Sequence, residues 1–276
     1  MPKGIGNLKE LQVLKWVNLK RSHCRVLDEL ALLRQLRKLG VRNLRRKHYD
    51  KFSATISELN SLRYLGIGIA YGDEAAAGFR DIVLSPPEHL RSIELSGWIG
   101  TLPAWISSLS KLAKVTLYGT RLDDDGIVLL QELPNLLLLR LWDNSYVGPK
   151  LTFRITKFPK LKELIVSDLK NLEELLFEEG ALSELQMLEI SRCELKSGIN
   201  GAKHLPKLKK LVLGRWIYVA NLDEVQKQVG EQPNRPSLEV QDPKYQKLRE
   251  DYYRGTTSGG PPADEDTEDI EEIENS

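Results

Sequence analysis

The feature that most constrains the fold of this chain is a twelve-residue leucine pattern that recurs along it. Its clearest copy occupies residues 133–144 and reads Leu-x-x-Leu-x-x-Leu-x-Leu-x-x-Asn. The alternation at Leu139 and Leu141 predicts a short strand whose two leucines face a core, while Leu138, Arg140 and Trp142 face the opposite way. Because one such unit cannot bury its own apolar side, the copies must stack on one another.

The strand part of this pattern occurs nine times, with 22 to 28 residues between the first apolar members of successive copies. That spacing falls in the range of about 20 to 29 residues that is typical of leucine-rich repeats. The pattern therefore predicts an α/β fold, a leucine-rich repeat solenoid curved into a horseshoe with a parallel sheet on its concave face. The predicted inward pairs are Leu14/Trp16, Leu39/Val41, Leu65/Ile67, Ile93/Leu95, Val115/Leu117, Leu139/Leu141, Leu164/Val166, Leu188/Ile190 and Leu211/Leu213.

Three segments of different composition are predicted. Residues 1–216 form the solenoid, and residues 217–254 form a C-terminal cap and extension, because the periodicity fades and a short helical pattern occupies 221–228. Residues 255–276 contain eight acidic residues and no base, so they are predicted to be an acidic, disordered tail. Since the whole chain carries a net charge of +1, the part before this tail carries +9.

The first residues of the chain align with the middle of a later repeat. Residues 1–8 match residues 102–109, so no amphipathic cap precedes the first strand. An uncapped solenoid end exposes core leucines, in this case Leu8, Leu11 and Leu14. We expect either that a partner domain covers this end in a longer form of the chain or that the chain is a truncated gene product.

No pattern in the sequence indicates catalysis, a cofactor or a metal. The run Asp123–Gly126 lacks the alternating ligands of a calcium loop and is predicted to cap the N-terminus of a helix. Phosphate-binding loops with the usual glycine spacing do not occur, so the chain is not expected to be an enzyme. The four histidines fall in different repeats without a recurring catalytic neighbour and are expected at the surface: His23, His48, His89 and His204.

One repeat position, three residues after the second inward residue of a strand, is predicted to be buried. Asn144, Thr120 and Cys193 occupy it in three repeats, and an amide there can hydrogen-bond the backbone of a neighbouring coil. Cys193 is accordingly expected to be a buried, unreactive thiol. Two distant cysteines fit a reducing compartment, and the lack of an apolar run of about 18 residues predicts no membrane span.

A basic stretch lies across the second repeat, where seven bases occur without an acid. It is either a solvated face or a docking surface for an acidic domain in the same or another chain. A nucleic-acid site is disfavoured, because the aromatic residues that stack on bases are missing. The candidate docking residues are Arg34, Arg37, Lys38, Arg42, Arg45, Arg46 and Lys47.

Three phrases carry a resemblance to a known family: residues 2–14 (PKGIGNLKELQVL), 102–106 (LPAWI) and 205–213 (LPKLKKLVL). They are similar to the C-terminal leucine-rich domain of plant intracellular immune receptors of the coiled-coil, nucleotide-binding class, the NLR disease resistance proteins. The resemblance covers about residues 1–240. The coiled coil and the NB-ARC switch domain of that family are not present in this sequence, so the nucleotide site of the family transfers to no residue.

This resemblance implies a recognition module of plant innate immunity that binds a pathogen effector or a guarded host protein. It also implies restraint of the NB-ARC-type switch domain, in cis or in trans, with protein partners and no nucleic acid. The implied location is the cytoplasm, with the nucleus or the periphery of the plasma membrane as further possibilities. The alternative is an autonomous intracellular leucine-rich repeat scaffold for a signalling GTPase or kinase.

The concave strand face is the predicted recognition surface, because its outward side chains can vary without touching the core. Tyr118, Arg140 and Trp142 come from adjacent strands about 5 Å apart and belong to types enriched in binding hot spots. The alternative is an unused face whose aromatic residues only cover leucines. The candidate residues are Tyr64, Glu94, Lys114, Tyr118, Arg140, Trp142, Glu163, Glu189 and Lys210, with Lys15, Lys38, Thr116, Ser167 and Ser191 on the same face.

Overall fold

The computed structural model describes residues 4–20, 25–70, 79, 82, 85 and 87–256. The predicted acidic tail begins at residue 255, but the last helix includes residues 255 and 256. The rest of the predicted tail, from 257 onward, and His23 lie outside the described residues. The strands are β1 (Val13–Asn18), β2 (Lys38–Leu44), β3 (Tyr64–Ile69), β4 (Ser92–Ser96), β5 (Lys114–Tyr118), β6 (Leu138–Trp142), β7 (Lys150–Phe153), β8 (Glu163–Ser167), β9 (Glu174–Phe177), β10 (Met187–Ser191), β11 (Glu194–Leu195), β12 (Gly198–Asn200), β13 (Lys210–Leu213), β14 (Tyr218–Val219) and β15 (Ser237–Val240).

A ten-stranded parallel sheet forms one side of the solenoid, in the order β1-β2-β3-β4-β5-β6-β8-β10-β13-β15. Each coil contributes one strand, as the repeat pattern predicts. Eight of the nine predicted inward pairs are confirmed, since both members are buried and adjacent pairs align, for example Val115 with Leu139 and Leu117 with Leu141. The predicted leucine-rich repeat solenoid of the α/β class is thus the observed fold.

The first predicted pair is wrong in its second member. Leu14 aligns with Leu39, but the residue that aligns with Val41 is Val17, because the register shifts between the two positions. Trp16 takes a left-handed backbone conformation with φ of 62° at this bulge. The bulge turns its ring away from the core, as bulges commonly do.

The sheet also has one strand more than the nine predicted. Its tenth strand, β15, pairs with β13 and aligns Leu238 with Leu211. The strand pattern is present at Leu238 and Val240, but the leucines that precede other strands are absent before it. It lies within the segment predicted to be the C-terminal cap and extension.

The opposite side of the core is formed by short helices and small sheets. The helices are α1 (Arg25–Ala31), α2 (Tyr49–Glu58), α3 (Asp124–Gln131), α4 (Leu222–Gly230) and α5 (Pro243–Thr256), with 3₁₀ turns at Ile5–Asn7, Arg46–His48, Ala104–Ser108 and Ala202–His204. From the sixth coil onward, this side also contains short strands: β7, β9 and β12 form a three-stranded sheet, and β11 and β14 pair. Phe153 and Phe177 stack beneath that sheet with ring centroids 5.2 Å apart.

Side-chain amides terminate the edges of both small sheets. The Asn221 amide accepts a hydrogen bond from the Ile199 N–H and donates to the Ile199 carbonyl, both at 2.9 Å. Gln246 on α5 does the same for Val219 on β14, again at 2.9 Å in each direction. Each amide therefore makes the pair of hydrogen bonds that a further strand would make.

A column of left-handed residues turns the chain at the end of each central strand. It consists of Gly97, Gly119, Asp143, Asp168 and Arg192, with φ between 49° and 92°. The N–H of each residue donates to a carbonyl of the next coil at 2.9 to 3.1 Å. Glycine and aspartate tolerate this conformation best, which explains their recurrence after the strands.

Candidate functional site

The face of the large sheet opposite the leucine core, which we call the sheet face, carries three rows of side chains aligned across the strands. All nine candidate recognition residues lie in these rows, so the strand phase that placed them is correct. The rows are Val13, Lys38, Tyr64, Ser92, Lys114, Leu138, Glu163, Met187, Lys210 and Ser237; then Gly40, Gly66, Glu94, Thr116, Arg140, Ile165, Glu189, Val212 and Glu239; then Ser96, Tyr118, Trp142, Ser167 and Ser191.

An aromatic patch stands out at the centre of the sheet face. Tyr118 and Trp142 are direct neighbours in register and are 46% and 37% exposed. Trp98, in the loop after β4, is 48% exposed, and the Arg121 guanidinium lies 5.2 Å from its ring centroid. The sequence pattern missed Trp98 and Arg121, because both lie beyond the strands where alternation gives no direction. Exposed aromatic residues in such a cluster are typical of interaction surfaces.

In the N-terminal part of the sheet face, two adjacent outward positions are occupied by glycine; we call them the glycine floor. Gly40 and Gly66 lie there, and a Cβ atom on Gly66 would come within 3.4 Å of the Trp16 ring and 2.9 Å of the Tyr64 hydroxyl. The Tyr64 hydroxyl donates to Glu94 at 2.7 Å. Burial, together with this hydrogen bond, raises the pKa of Tyr64 well above its usual range. The two rings thus form a fixed aromatic cover over the glycine floor.

The C-terminal part of the sheet face is partly apolar and partly ionic. Leu138, Ile165 and Val212 occupy outward positions in the rows yet are at most 9% exposed. Lys210 pairs with Glu239 on the next strand at 2.8 Å, and this bond lowers the pKa of Glu239. None of the three was among the predicted site residues, although strand alternation placed Leu138 outward. Ile165 and Val212 each lie between two inward strand residues, which could have indicated them.

The basic stretch does not form one surface. All seven of its side chains are exposed, but Arg34 and Arg37 precede β2 whereas Arg45, Arg46 and Lys47 come after it. A strand of this length separates the two groups by roughly 20 Å. Arg34 is also paired with Glu58 at 3.1 Å. Continuity in sequence therefore overstated the concentration of charge.

One histidine contradicts the predicted surface location. His48 is 1% exposed, and its Nδ1 accepts a hydrogen bond from the Arg45 N–H at 3.2 Å. Burial, with Lys47 and Arg45 nearby, lowers the pKa of His48, so the ring stays neutral. The cause is local, since the ring folds back against the 3₁₀ turn that it ends. His89 is exposed and His204 is half-buried.

The remaining polar candidates have structural partners. The Asp123 carboxylate accepts from the Gly126 N–H at 3.1 Å, which confirms the predicted helix cap. Thr120 is fully buried and donates to the Ser145 carbonyl at 2.9 Å, whereas Asn144 is only half-buried and accepts from the Lys170 N–H at 3.0 Å. Cys193 is 2% exposed, and burial raises its pKa to about 12, which keeps the thiol protonated.

Metal-ligating clusters and membrane-spanning helices are both absent from the described part of the chain. There, no group of three or more histidine, cysteine, aspartate or glutamate side chains is placed to hold a metal ion. None of the helices in the same ranges combines the length and apolar character that crossing a membrane requires.

Comparisons with known proteins agree with the repeat architecture. A family model described as "Leucine-rich repeat region" matches residues 1–238. Disease resistance protein RPM1 of Arabidopsis thaliana is 29% identical over 218 residues, which cover 79% of this chain and 22% of that protein. Disease resistance protein PIK6-NP of Oryza sativa subsp. japonica is 32% identical over 141 residues, covering 50% of this chain and 14% of that protein.

The chain spans less than a quarter of the length of these plant relatives. Among solved structures, the APL1 leucine-rich repeat domain is similar with a TM-score of 0.38 and 15% identity, covering 79% of this chain and 58% of that one. The Leptospira interrogans leucine-rich repeat protein LIC12759 gives a TM-score of 0.32 at 19% identity, with 87% and 80% of the two chains covered.

Proposed function

The chain belongs to the leucine-rich repeat region family, and from that premise we propose that it is a protein-recognition module of a plant disease resistance receptor. Its ligand in this proposal is a pathogen effector or a guarded host protein. The curated relatives are disease resistance proteins of which this chain matches only a part, so it would act together with further domains. We propose no catalytic role for it.

The observation that carries this proposal is the aromatic patch of Trp98, Tyr118 and Trp142. These three large aromatic side chains are 37% to 48% exposed. Keeping them in water is unfavourable, and a protein partner that covers them would recover that free energy. Arg121 and Arg140 lie beside the patch and can donate to acceptors at its rim.

We also propose that the N-terminal end contacts the switch domain and helps to restrain it. Leu8, Val13 and Leu32 are 56%, 49% and 51% exposed at this end. Arg42, Arg45 and Arg46, toward the other end of β2 on the neighbouring coil, are exposed as well. Apolar surface at one end of these strands and positive charge at the other are suited to a partner domain that has an apolar face and acidic residues.

Recognition by the aromatic patch is tested with paired variants. Proteins captured from infected leaf extract by the parent chain are compared with those captured by a Tyr118→Ala/Trp142→Ala variant. Tyr252→Ala, an equally exposed tyrosine on α5, is the control. A captured protein is then purified, and its Kd for all three chains is measured by calorimetry. We expect the double variant to bind at least about 30-fold more weakly, as loss of a hot spot would cause.

Equal affinity of the three chains for every captured protein would contradict recognition through the patch.

Switch-domain contact is tested separately, by adding the nucleotide-binding domain of a relative in trans. Reversing Arg42, Arg45 and Arg46 to glutamate should weaken that complex, and the affinity of the parent should fall with salt. The matched control reverses Lys203, Lys227 and Lys244, which are exposed elsewhere.

A further inference from the structure

Three arginines form a column along the edge of the large sheet where its strands begin. Arg37, Arg63 and Arg91 each lie immediately before a strand on successive coils, and all three are exposed. The Arg63 N–H donates to the Arg37 carbonyl at 2.8 Å, and the Arg91 N–H donates to the Arg63 carbonyl at 2.9 Å. Their backbones are therefore stacked at the strand spacing of about 4.8 Å. We call these residues the arginine column.

The charge of this column is not balanced by its surroundings. None of its three guanidinium groups forms an ion pair with a residue that the structure describes. The residues in the same row of the other coils, immediately before each strand, include no acid. Like charges stacked on adjacent strands repel one another, so the column disfavours the folded state unless something neutralises it. The row consists of Gln12, Arg37, Arg63, Arg91, Ala113, Leu137, Lys162, Gln186 and Lys209.

We propose that the acidic C-terminal segment of the same chain, residues 264–274, docks on the arginine column. This segment contains all eight acidic residues that lie beyond α5 and no base, so its charge is complementary to the column. Arginine suits this contact, because the planar guanidinium pairs with a carboxylate through two parallel hydrogen bonds. The segment is tethered, which raises its effective concentration at the column.

The segment is long enough to reach the column. The C-terminal end of α5 lies against the coil of β10, because the Tyr253 hydroxyl donates to Glu194 on β11 at 2.6 Å. Four strand spacings, about 19 Å, separate β10 from β4, and six spacings, about 29 Å, separate β10 from β2. Asp264 and Glu274 lie about 26 and 60 Å beyond Thr256 when the chain is extended. Residues 264–274 can therefore reach the coils that carry Arg91 and Arg37.

Other bases in the same row compete less well for the segment. Lys162 and Lys209 lie nearer to α5, but Gln186 separates them, and a lysine ammonium offers no paired donors. The arginine column is the only place in the described part of this row where three bases stand on consecutive coils. Several carboxylates can engage it at once, which favours it over a single lysine.

The proposal is tested on the full chain with a carbodiimide, which joins a carboxylate directly to a contacting amine. An Arg63→Lys/Arg91→Lys variant keeps the charge and supplies the amines. Lys203 and Lys227, exposed on the helical side, are the internal controls. We expect the monomer to contain cross-links from residues 264–274 to positions 63 and 91, at least fivefold more often than to the controls. Raising the salt to 0.5 M should remove most of them.

A second measurement uses cleavage of the acidic segment by a glutamate-specific protease. Reversing the three arginines to glutamate should speed cleavage at least threefold, whereas Lys203→Glu/Lys227→Glu should leave it unchanged. Cross-links that are no more frequent at positions 63 and 91 than at the controls would overturn the proposal. Cross-links confined to dimers would also overturn it, since they would show that the acidic segment acts between chains.

Discussion

The two ends of the solenoid differ in how their apolar core and their backbone polar groups are covered. At the N-terminal end, β1 pairs only with β2 among the described strands, and Leu8, Val13 and Leu32 remain about half exposed. At the C-terminal end, two helices cover the last coils, and the amides of Asn221 and Gln246 complete the hydrogen bonding of the small sheets. Among the described residues, those at the N-terminal end are therefore more exposed than those at the C-terminal end.

The difference shows that closing a solenoid takes more than apolar cover. Every unpaired backbone group at a buried edge also needs a partner. An amide side chain can donate and accept at once, so Asn221 and Gln246 replace a strand. At the N-terminal end, the Glu29 carboxylate accepts from the Gly6 N–H at 3.3 Å, but a carboxylate cannot donate in return. At that end, the Glu29 side chain therefore satisfies a backbone donor but no backbone acceptor.

The largest expected effect compares a strand leucine near each end. Leu213 on β13 is 1% exposed, whereas Leu14 on the edge strand is only half-buried. We expect Leu213→Asp to lower the free energy of unfolding by about 4 kcal/mol or more, because a carboxylate must be desolvated and apolar contacts are lost. Leu14→Asp should cost about 1 kcal/mol. Urea unfolding monitored by circular dichroism measures both, and equal losses would remove the distinction between the ends.

The next effect isolates the closing amide. Gln246→Ala leaves the N–H and carbonyl of Val219 buried without partners, so we expect a loss of roughly 2 kcal/mol. Gln246→Glu keeps an acceptor for the N–H but loses the donor and sets a negative charge against Glu250, which now accepts from the amide at 2.7 Å. It should destabilise at least as much at neutral pH. Hydrogen exchange at the Val219 amide is the readout, and unchanged protection in both variants would show that Gln246 does not close the edge.

A smaller, pH-dependent effect is expected at the N-terminal end. Hydrogen bonds from the Gly4 and Gly6 backbone lower the pKa of Glu29 below 4.5. Since the folded-state pKa is the lower one, the stabilisation is present above pH 4.5 and is lost as the pH falls through the lowered value. After correction for intrinsic rates, hydrogen exchange at Gly6 should speed up in acid, with no matching change at Val219. Glu29→Gln should abolish this pH dependence, and its persistence would point to another group.

The smallest effect concerns the acidic tail. Deleting residues 257–276 should change the free energy of unfolding by less than about 0.5 kcal/mol, because exposed ion pairs contribute little to stability. This result would assign the closure to α4 and α5 rather than to the tail. A drop in Tm comparable to that of Gln246→Ala would instead make the tail part of the closed end.

Much of the fold could be predicted from the repeat alone, because alternation fixes which strand residues face the core and the repeat length fixes the stacking. Local departures from the repeat geometry could not be predicted in this way. The bulge at Trp16 depends on how the edge strand meets β2, and β15 lacks the preceding leucines although its backbone pairs normally. His48 is buried and accepts one backbone hydrogen bond. The first two features arise from contacts between coils and the third from a local turn, and periodicity encodes neither.

Some features of the candidate site could likewise be predicted from the sequence, and others could not. Strand alternation correctly placed Tyr118, Arg140 and Trp142 on one face, although binding by that face remains a proposal. Lateral neighbours in different coils were not visible in the sequence. Arg63 and Arg91 lie 28 residues apart in the chain, yet they are hydrogen-bonded neighbours in the structure. Conversely, residues close in sequence, such as Arg37 and Arg45, lie at opposite ends of one strand.

The closing amide of Gln246 has a consequence for how such arrays change in length. Its partners outside its own helix are the N–H and the carbonyl of Val219, which every residue except proline offers in the same geometry. These two hydrogen bonds do not depend on the side chain at the edge that they cover. The side-chain contacts of the helix are specific, since the Tyr253 hydroxyl donates to Glu194 and the Tyr253 ring packs on Tyr218. A coil could therefore be duplicated or deleted ahead of this helix if the last two coils kept a glutamate and a tyrosine at these positions.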